Sequence, residues 1–410
     1  MKAFIDHDHM DMLQDQNLCT RLLNWYNASH RDLPWRKTGN PYAIWVSEVM
    51  LQQTQVKTVI PYYERFLQRF PSVNELAAAD LEDVLMVWSG LGYYSRARRL
   101  WEGANYILQH LNGQMPGDYD GLLRIPGIGD YTAGAIASIA FGQRIPAIDG
   151  NVKRVLSRLL AWNEPVETVR SLRRFKERLL AWQSVENPGD FNQALMELGA
   201  MVCTAAKSAC GCCPLADVCR GFLGGEALLY PLKKPKTRRK DITRLTFVLR
   251  KGNKIYVQKR PAKGLLAGLW EFPGSEIEDS DGQSPNDGLP DISRDEYMVH
   301  FQKALADRGF DLLAEEQFRR GVILHGPIWY TFSHRRWKII WVIIDLPEPR
   351  SPFPLRETEG DYSSNSKDEY SEISRWVSLE NSGQTPLPVA FSGIYESLQS
   401  ELTSSLQELE

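Results

Sequence analysis

No stretch of these 410 residues stays apolar over the roughly 18 positions that a membrane-spanning helix needs, so no helical span is expected. The opening "MKAFIDHDHMDMLQDQ" is acidic and polar. It has neither the apolar centre of a signal peptide nor the arginines of a transit peptide, and a cytoplasmic protein is expected, nucleoid-associated if the cell is bacterial. There is no internal repeat. An excess of positive charge is also missing: the net charge is −3, with 29 basic against 24 acidic residues in 1–240 and 19 against 27 in 241–410. Bulk charge therefore argues for no polyanionic partner, and any nucleic-acid reading must rest on local groups. Cysteine is scarce, six in all, but five of the six fall in "CTAAKSACGCCPLADVC" (203–219).

What is present is a globular composition, 43% hydrophobic and 10% aromatic, and enough length for two domains. From residue 20 to about 225, apolar residues recur every three or four positions, in 43–70, 81–91, 95–111, 132–142, 152–162 and 191–203, with Gly and Pro between the runs. "YPLKKPKTRRKD" (230–241) is basic and proline-bearing, as linkers are, although a solvated charge run reads the same way. Beyond it the period changes to two. Residues 245–260 read as two strands about Gly252-Asn253, 329–346 as another strand pair, and 351–372 as a polar, flexible loop. The expected architecture is an all-α domain (1–230), a linker (231–241) and an α+β domain (242–410).

In a reducing compartment clustered cysteines are metal ligands more often than disulfides. The spacing Cys203-x6-Cys210-x2-Cys213-x5-Cys219 has one short pair and two long loops. That suits one wrapping loop around an iron–sulfur cluster better than the paired knuckles of zinc, which stays open, as does the choice between Cys212 and Cys213.

"LLRIPGIGDYTAGAIASIAF" (122–141) places Gly127 and Gly129 in a tight turn between two helices. Exposed backbone N–H groups and the positive end of the second helix together make a seat for phosphate, though Pro-Gly turns are common for other reasons. Asp149, just before the helix of 152–162, is either a plain N-cap or a carboxylate held ionised by the helix dipole. Glu48 sits among Val46, Val49, Met50 and Leu51, where apolar walls raise a carboxyl pKa towards neutrality. One proton-holding and one ionised carboxyl is the division used to break glycosidic bonds. Nothing in the sequence brings the two together across a hundred residues.

These features together resemble the endonuclease III-like, helix-hairpin-helix superfamily of DNA glycosylases. Within it, "RDLPWR" (31–36), "SEVMLQQTQV" (47–56), "GLGYYSRARRL" (90–100), "GIGDYTAGAI" (127–136) and "DGNVKRVLSR" (149–158) resemble the A/G-specific adenine DNA glycosylases, the MutY family. The resemblance covers nearly the whole chain. It implies a 4Fe–4S cluster on Cys203, Cys210, Cys213 and Cys219, with Cys212 a bystander. It implies base excision repair by a monomer on double-stranded DNA carrying adenine opposite 8-oxoguanine or guanine. Glu48 would protonate N7 of a flipped-out adenine, and Asp149 would stabilise the sugar cation, with or without a transient adduct. Asn151 and Tyr131 would support them, and Trp35, Arg36 and Gln193 would line the base pocket. Gln53 and Tyr93 would wedge into the duplex, with Thr54 near the opposing lesion. Bifunctional relatives carry a lysine where this chain has Tyr131, and a phenol forms no imine, so a monofunctional enzyme is expected.

"IYVQKRPAKGLLAGLWEFPG" (255–274) resembles the opening of the Nudix (MutT-like) fold. The glutamate-studded magnesium helix of its hydrolases is missing from "SRDEYMVHFQKALADRGF" (293–310), so the fold is expected without the hydrolysis. In the family a loop matching Phe332-Ser333-His334 reads 8-oxoguanine. Competing readings are a bifunctional glycosylase/lyase, which Tyr131 disfavours, and a silent iron–sulfur lesion binder, which Glu48 and Asp149 disfavour. A nucleotide-pool hydrolase is weaker still.

Overall fold

The computed structural model describes residues 12–232, 239–278, 299, 300, 303, 323–332, 334–346, 374–379 and 386–407. Most of the basic stretch 233–240, the polar segment 351–372, Ser333 and nearly all of 293–310 lie outside these residues. The chain divides into two compact units, 1–236 and 237–410.

The first unit is helical: α1 (Met12–Ser29), α2 (Pro41–Leu51), α3 (Val56–Arg69), α4 (Val73–Ala78), α5 (Leu81–Trp88), α6 (Ser95–His110), α7 (Tyr119–Leu123), α8 (Asp130–Phe141), α9 (Gly150–Leu159), α10 (Val169–Trp182), α11 (Pro188–Met201) and α12 (Arg220–Leu223). Local chemistry starts them. The Asn40 side chain accepts the N–H groups of Tyr42 and Ala43, with Pro41 at the first helical position of α2. Asp118 and Asp149 cap α7 and α9 in the same way. Because α2 is buried along nearly its whole length (Tyr42 to Met50), it is the central helix of its half. A second apolar centre joins α1, α9, α10 and α11 through Leu22, Leu156, Phe175, Phe191 and Leu195.

One expected helix is corrected. The apolar run 43–70 is not continuous: α2 ends at Leu51 and α3 begins at Val56, with Gln53 between them in a left-handed conformation (φ 58°). Between α7 and α8 the hairpin turn depends on Gly127, whose φ is +85° and whose added Cβ would lie 2.8 Å from Arg99 Cβ. Gly129 is different. It is extended (φ −103°) and faces open space, so the turn does not require it; its missing side chain leaves the start of α8 uncovered.

The second unit holds a seven-stranded mixed sheet of β1 (Lys240–Lys251), β2 (Lys254–Lys259), β3 (Trp270–Glu271), β4 (Gly274–Glu278), β5 (His325–Thr331), β6 (Arg335–Asp345) and β7 (Ser374–Ser378). The order β3-β2-β1-β6-β5 has β1 and β6 parallel at its centre, Leu245 opposite Ile340. Helix α13 (Ser392–Gln407) packs Ile394 and Leu398 against one face, where Trp270, Phe272, Trp337 and Phe391 form the core. No helix among the described residues is long and apolar enough to cross a membrane.

Candidate active site

Glu48 and Asp149, 101 positions apart in sequence, line the same cavity in the helical unit, about 790 Å³ in volume. The cavity also takes in Trp35, Arg36, Gln53, Thr54, Tyr131, Asn151 and Gln193, so nine of the sequence-derived candidates converge on one site. Tyr93 is not on this wall. It stands 47% exposed on the turn before α6, at φ 50°. Gly127 and Gly129 lie in the hairpin.

Glu48 is buried on α2, and the Tyr131 hydroxyl donates to its Oε2. Burial pushes its pKa up to about 7; the Tyr131 hydrogen bond pulls it down, Asp149 pushes it up and Arg36 pulls it down. Glu48 can therefore hold a proton near neutral pH. Burial, together with Glu48 and Asp149, drives the Tyr131 phenol well above its ordinary value, so it stays a donor.

Asp149 is the N-cap of α9. Its Oδ1 accepts the Val152 N–H at 2.7 Å and its Oδ2 the Asn151 Nδ2 at 2.8 Å. The expected low pKa is corrected: desolvation by the cavity walls outweighs these donors and Arg154, and the pKa is raised above the ordinary carboxylate value. The helix N-terminus and its donors favour the anion, and desolvation works against them.

Two residues that the sequence left unmarked shape the pocket floor. Glu197, on α11, is 1% exposed and receives Arg31 (2.8 and 2.6 Å) and Arg36 (2.7 and 3.1 Å). Burial pushes its pKa up, yet the two guanidinium groups outweigh burial and hold it at about 2. Arg36 is thus fixed as one arm of an Arg–Glu–Arg cluster about a buried carboxylate, whose other arm, Arg31, is partly exposed. Trp35 packs edge-on against Tyr63, ring centroids 5.4 Å apart. Gln193 donates to Asp190 at 3.4 Å. Among the described residues, Lys153 is the one lysine lining the cavity.

A second set of contacts joins the cavity to the cysteine loop. Arg154 donates to Asn151 Oδ1 (2.8 Å), Gly199 O (2.7 Å) and Cys203 O (2.7 Å). Gly199 allows the close approach, since a Cβ there would lie 2.6 Å from Asn151 Cβ. Cys203, Cys210, Cys213 and Cys219 ring a cavity together with Arg158, while Cys212 is exposed and not on its wall. Arg158 is buried and donates to Cys203 Sγ (3.3 Å), Ser208 Oγ (2.8 Å) and the carbonyls of Thr204, Ala205 and Tyr230. Burial pushes Cys213 up to about 11, with the neighbouring Cys203, Cys219 and Cys210 adding to it, and raises Cys210 and Cys219 as well. Metal ligation replaces such protons. Four thiols around a space fit a multi-iron cluster better than a single zinc.

The turn Gln52–Thr54 and the turn Gly92–Tyr93 are tied by one side chain. Arg96, buried, donates to Val49 O, Met50 O and Gln52 O on the first side, and to Thr54 Oγ1 and Gly92 O on both sides of the gap. Its desolvation lowers its pKa to about 10, still protonated at pH 7. Left-handed Gln53 and Tyr93 each cost about 1 kcal/mol or more, and such strain persists only where the surroundings enforce it.

In the second unit, Phe332 is half-buried, its ring against Trp337 (4.9 Å) and Tyr330 (4.8 Å), and His334 is exposed, accepting from Arg335 Nε at 3.0 Å.

Residues 46–180 match the HhH-GPD superfamily of base excision DNA repair proteins, and 245–397 match the NUDIX domain. The first unit thus carries the fold of the helix-hairpin-helix superfamily and the second a Nudix-like fold. An adenine DNA glycosylase of Buchnera aphidicola subsp. Baizongia pistaciae is 40% identical over 260 residues, 62% of this chain and 72% of that protein. The human adenine DNA glycosylase is 42% identical over 317 residues (63% and 58%), and that of Arabidopsis thaliana 35% over 367 (80% and 56%). The chain belongs to the adenine DNA glycosylase family. It spans 56–58% of the length of the plant and human relatives.

Proposed function

We propose that the helical unit hydrolyses the N-glycosidic bond of adenine mispaired with 8-oxoguanine or guanine in double-stranded DNA, and leaves the strand uncut. The observation that carries this is the sharing of one 790 Å³ cavity by a carboxyl poised near pH 7, Glu48, and a second carboxyl at a helix N-terminus, Asp149. The volume suits a flipped nucleoside.

Tyr131 donates to Glu48 Oε2, which leaves Oε1 to carry the proton. Glu48 gives that proton to N7 of the extruded adenine as the C1′–N9 bond breaks and its electron pair passes to the base. Positive charge on C1′ and O4′ is met by the Asp149 carboxylate, oriented by Val152 and Asn151. Water then adds at C1′ and passes a proton to the Glu48 carboxylate, giving free adenine, an abasic site and the acid restored. Trp35, Arg36 and Gln193 line the base pocket, and Glu197 with Arg31 holds Arg36 in place. Gln53 and Tyr93 fill the stack, and Thr54 faces the opposing base. The hairpin at Gly127 and Gly129 seats a phosphate. Cys203, Cys210, Cys213 and Cys219 would hold a 4Fe–4S cluster, which when bound fixes the 203–219 loop and with it Lys207 and Arg220 for the DNA backbone. The second unit reads 8-oxoguanine through Phe332, Ser333 and His334. In this reading residues 1–230 form the catalytic domain, 231–241 a linker and 242–410 the lesion-recognition domain. The protein works as a monomer in a reducing cytoplasm.

The test is incubation with duplexes carrying adenine opposite 8-oxoguanine, guanine or thymine, with breaks scored before and after alkali. Alkali-dependent breaks in the first two and none with thymine are expected. Breaks without alkali would mean an amine acts in the site, Lys153 first among candidates. No breaks with the duplex still bound would favour a silent lesion binder.

A further inference from the structure

Five hydrogen bonds from one buried guanidinium reach two separate turns. Arg96 sits in the first turn of α6, yet its Nη1 serves carbonyls at the end of α2 (Val49 O at 3.0 Å, Met50 O at 2.8 Å) and Gln52 O beyond it. Its Nη2 reaches Thr54 Oγ1 and Gly92 O, each at 3.1 Å. Its plane lies 5.3 Å from the Tyr93 ring centroid and 5.5 Å from that of Trp88, whose Nε1 also donates to Gly92 O at 3.1 Å. No carboxylate is among these partners; the charge is met by carbonyl dipoles at a helix C-terminus and by aromatic faces. A helix stop needs only the α2 carbonyls. The contacts to Thr54 and Gly92 serve no helix, and they join the only two left-handed non-glycine residues in these turns, Gln53 and Tyr93.

We propose that Arg96 is a positioning residue that locks the Gln53 and Tyr93 turns into a single rigid wedge, so that both side chains enter the duplex in register when the adenine leaves the stack. This rests on the base-excision reading above. Arg96 bonds neither carboxyl of the pair and does not itself line the cavity, which it meets only through the backs of Gln52 and Thr54. Its loss should therefore harm the opening of the duplex and spare the chemistry of a base already outside it.

The experiment compares the unmodified protein with Arg96→Gln and Arg96→Lys in single turnover. One substrate is a duplex with adenine opposite 8-oxoguanine; the other presents the same adenine in a loop of unpaired bases. A 2-aminopurine beside the adenine reports unstacking by its fluorescence. Excision from the paired duplex should fall about 100-fold or more in Arg96→Gln, the scale of loss from misplacing groups by about 1 Å. Excision from the loop should stay within about threefold, and the unstacking signal should be lost. Arg96→Lys, with one head group and no fork, should fall between. Equal losses on both substrates, no loss on either, or failure of both variants to fold would overturn the inference, since each makes Arg96 a structural support only. If the unmodified protein unstacks the duplex but releases no adenine from either substrate, the excision reading fails, while the unstacking signal still decides the role of Arg96.

Discussion

The Tyr131 hydroxyl donates to Glu48 Oε2 across 83 positions of sequence. That bond favours the ionised carboxylate, so its removal should raise the Glu48 pKa above its present value of about 7. In Tyr131→Phe the alkaline limb of the pH–rate profile should move up by about one unit, the equivalent of a hydrogen bond to a charged group. The rate at pH 7 should drop about tenfold through lost orientation of the acid. A limb that moves down would contradict this assignment.

Glu48 also bears on stability. Its folded pKa, about 7, exceeds the ordinary 4.5, so the folded state holds more protons between those values and stability declines as pH rises from 4.5 to 7. Glu48→Gln removes that penalty. The variant should be more stable than the parent at pH 8 by up to about 3 kcal/mol, with the difference fading below pH 4.5. Urea melts of both proteins at pH 4.5 and 8 check it.

The Arg31–Glu197–Arg36 cluster makes the opposite expectation. Glu197→Ala leaves two guanidinium groups without their shared buried carboxylate, a loss of about 3–5 kcal/mol. Its melting temperature should fall clearly. Glu197→Gln, which keeps the shape and some acceptor capacity, should lose less, and equal melting temperatures for the two would argue that the cluster is packing rather than electrostatics.

Arg154 spans from Asn151 Oδ1 to Cys203 O, with Gly199 O between. Arg154→Leu should therefore affect both ends. Excision should slow about tenfold or more as Asn151 loses its hold beside Asp149, and iron should leave faster on exposure to a chelator. Slower excision with unchanged iron retention would confine Arg154 to the carboxylate side.

Much of this site was legible one residue at a time. Glu48 stands out because Val46, Val49, Met50 and Leu51 surround it in "VSEVML", and Asp149 because it precedes a helix. Their meeting was not legible, since no local pattern encodes contact across a hundred positions; the family resemblance alone supplied it. Glu197 carries a similar signal to Glu48, a lone carboxyl between Leu195-Met196 and Leu198, and its partners lie 161 and 166 positions away. The break at 52–55 has no Gly or Pro to mark it. There the helix ends because a distant cation, Arg96, takes carbonyls that the next turn would have used. In the sheet, alternation gave the strands about Gly252, but the parallel pairing of β1 with β6 joins segments some 95 residues apart, which alternation does not specify.

The most direct measurement is the pH dependence of single-turnover adenine release from a duplex with 8-oxoguanine opposite, for the unmodified protein and Glu48→Gln. Proton donation by Glu48 predicts a rate that declines above an apparent pKa near 7, and almost no release by the variant, which still binds the duplex. A rate that stays level from pH 6 to about 9, or a Glu48→Gln protein that releases adenine at the parent's rate, would contradict the account.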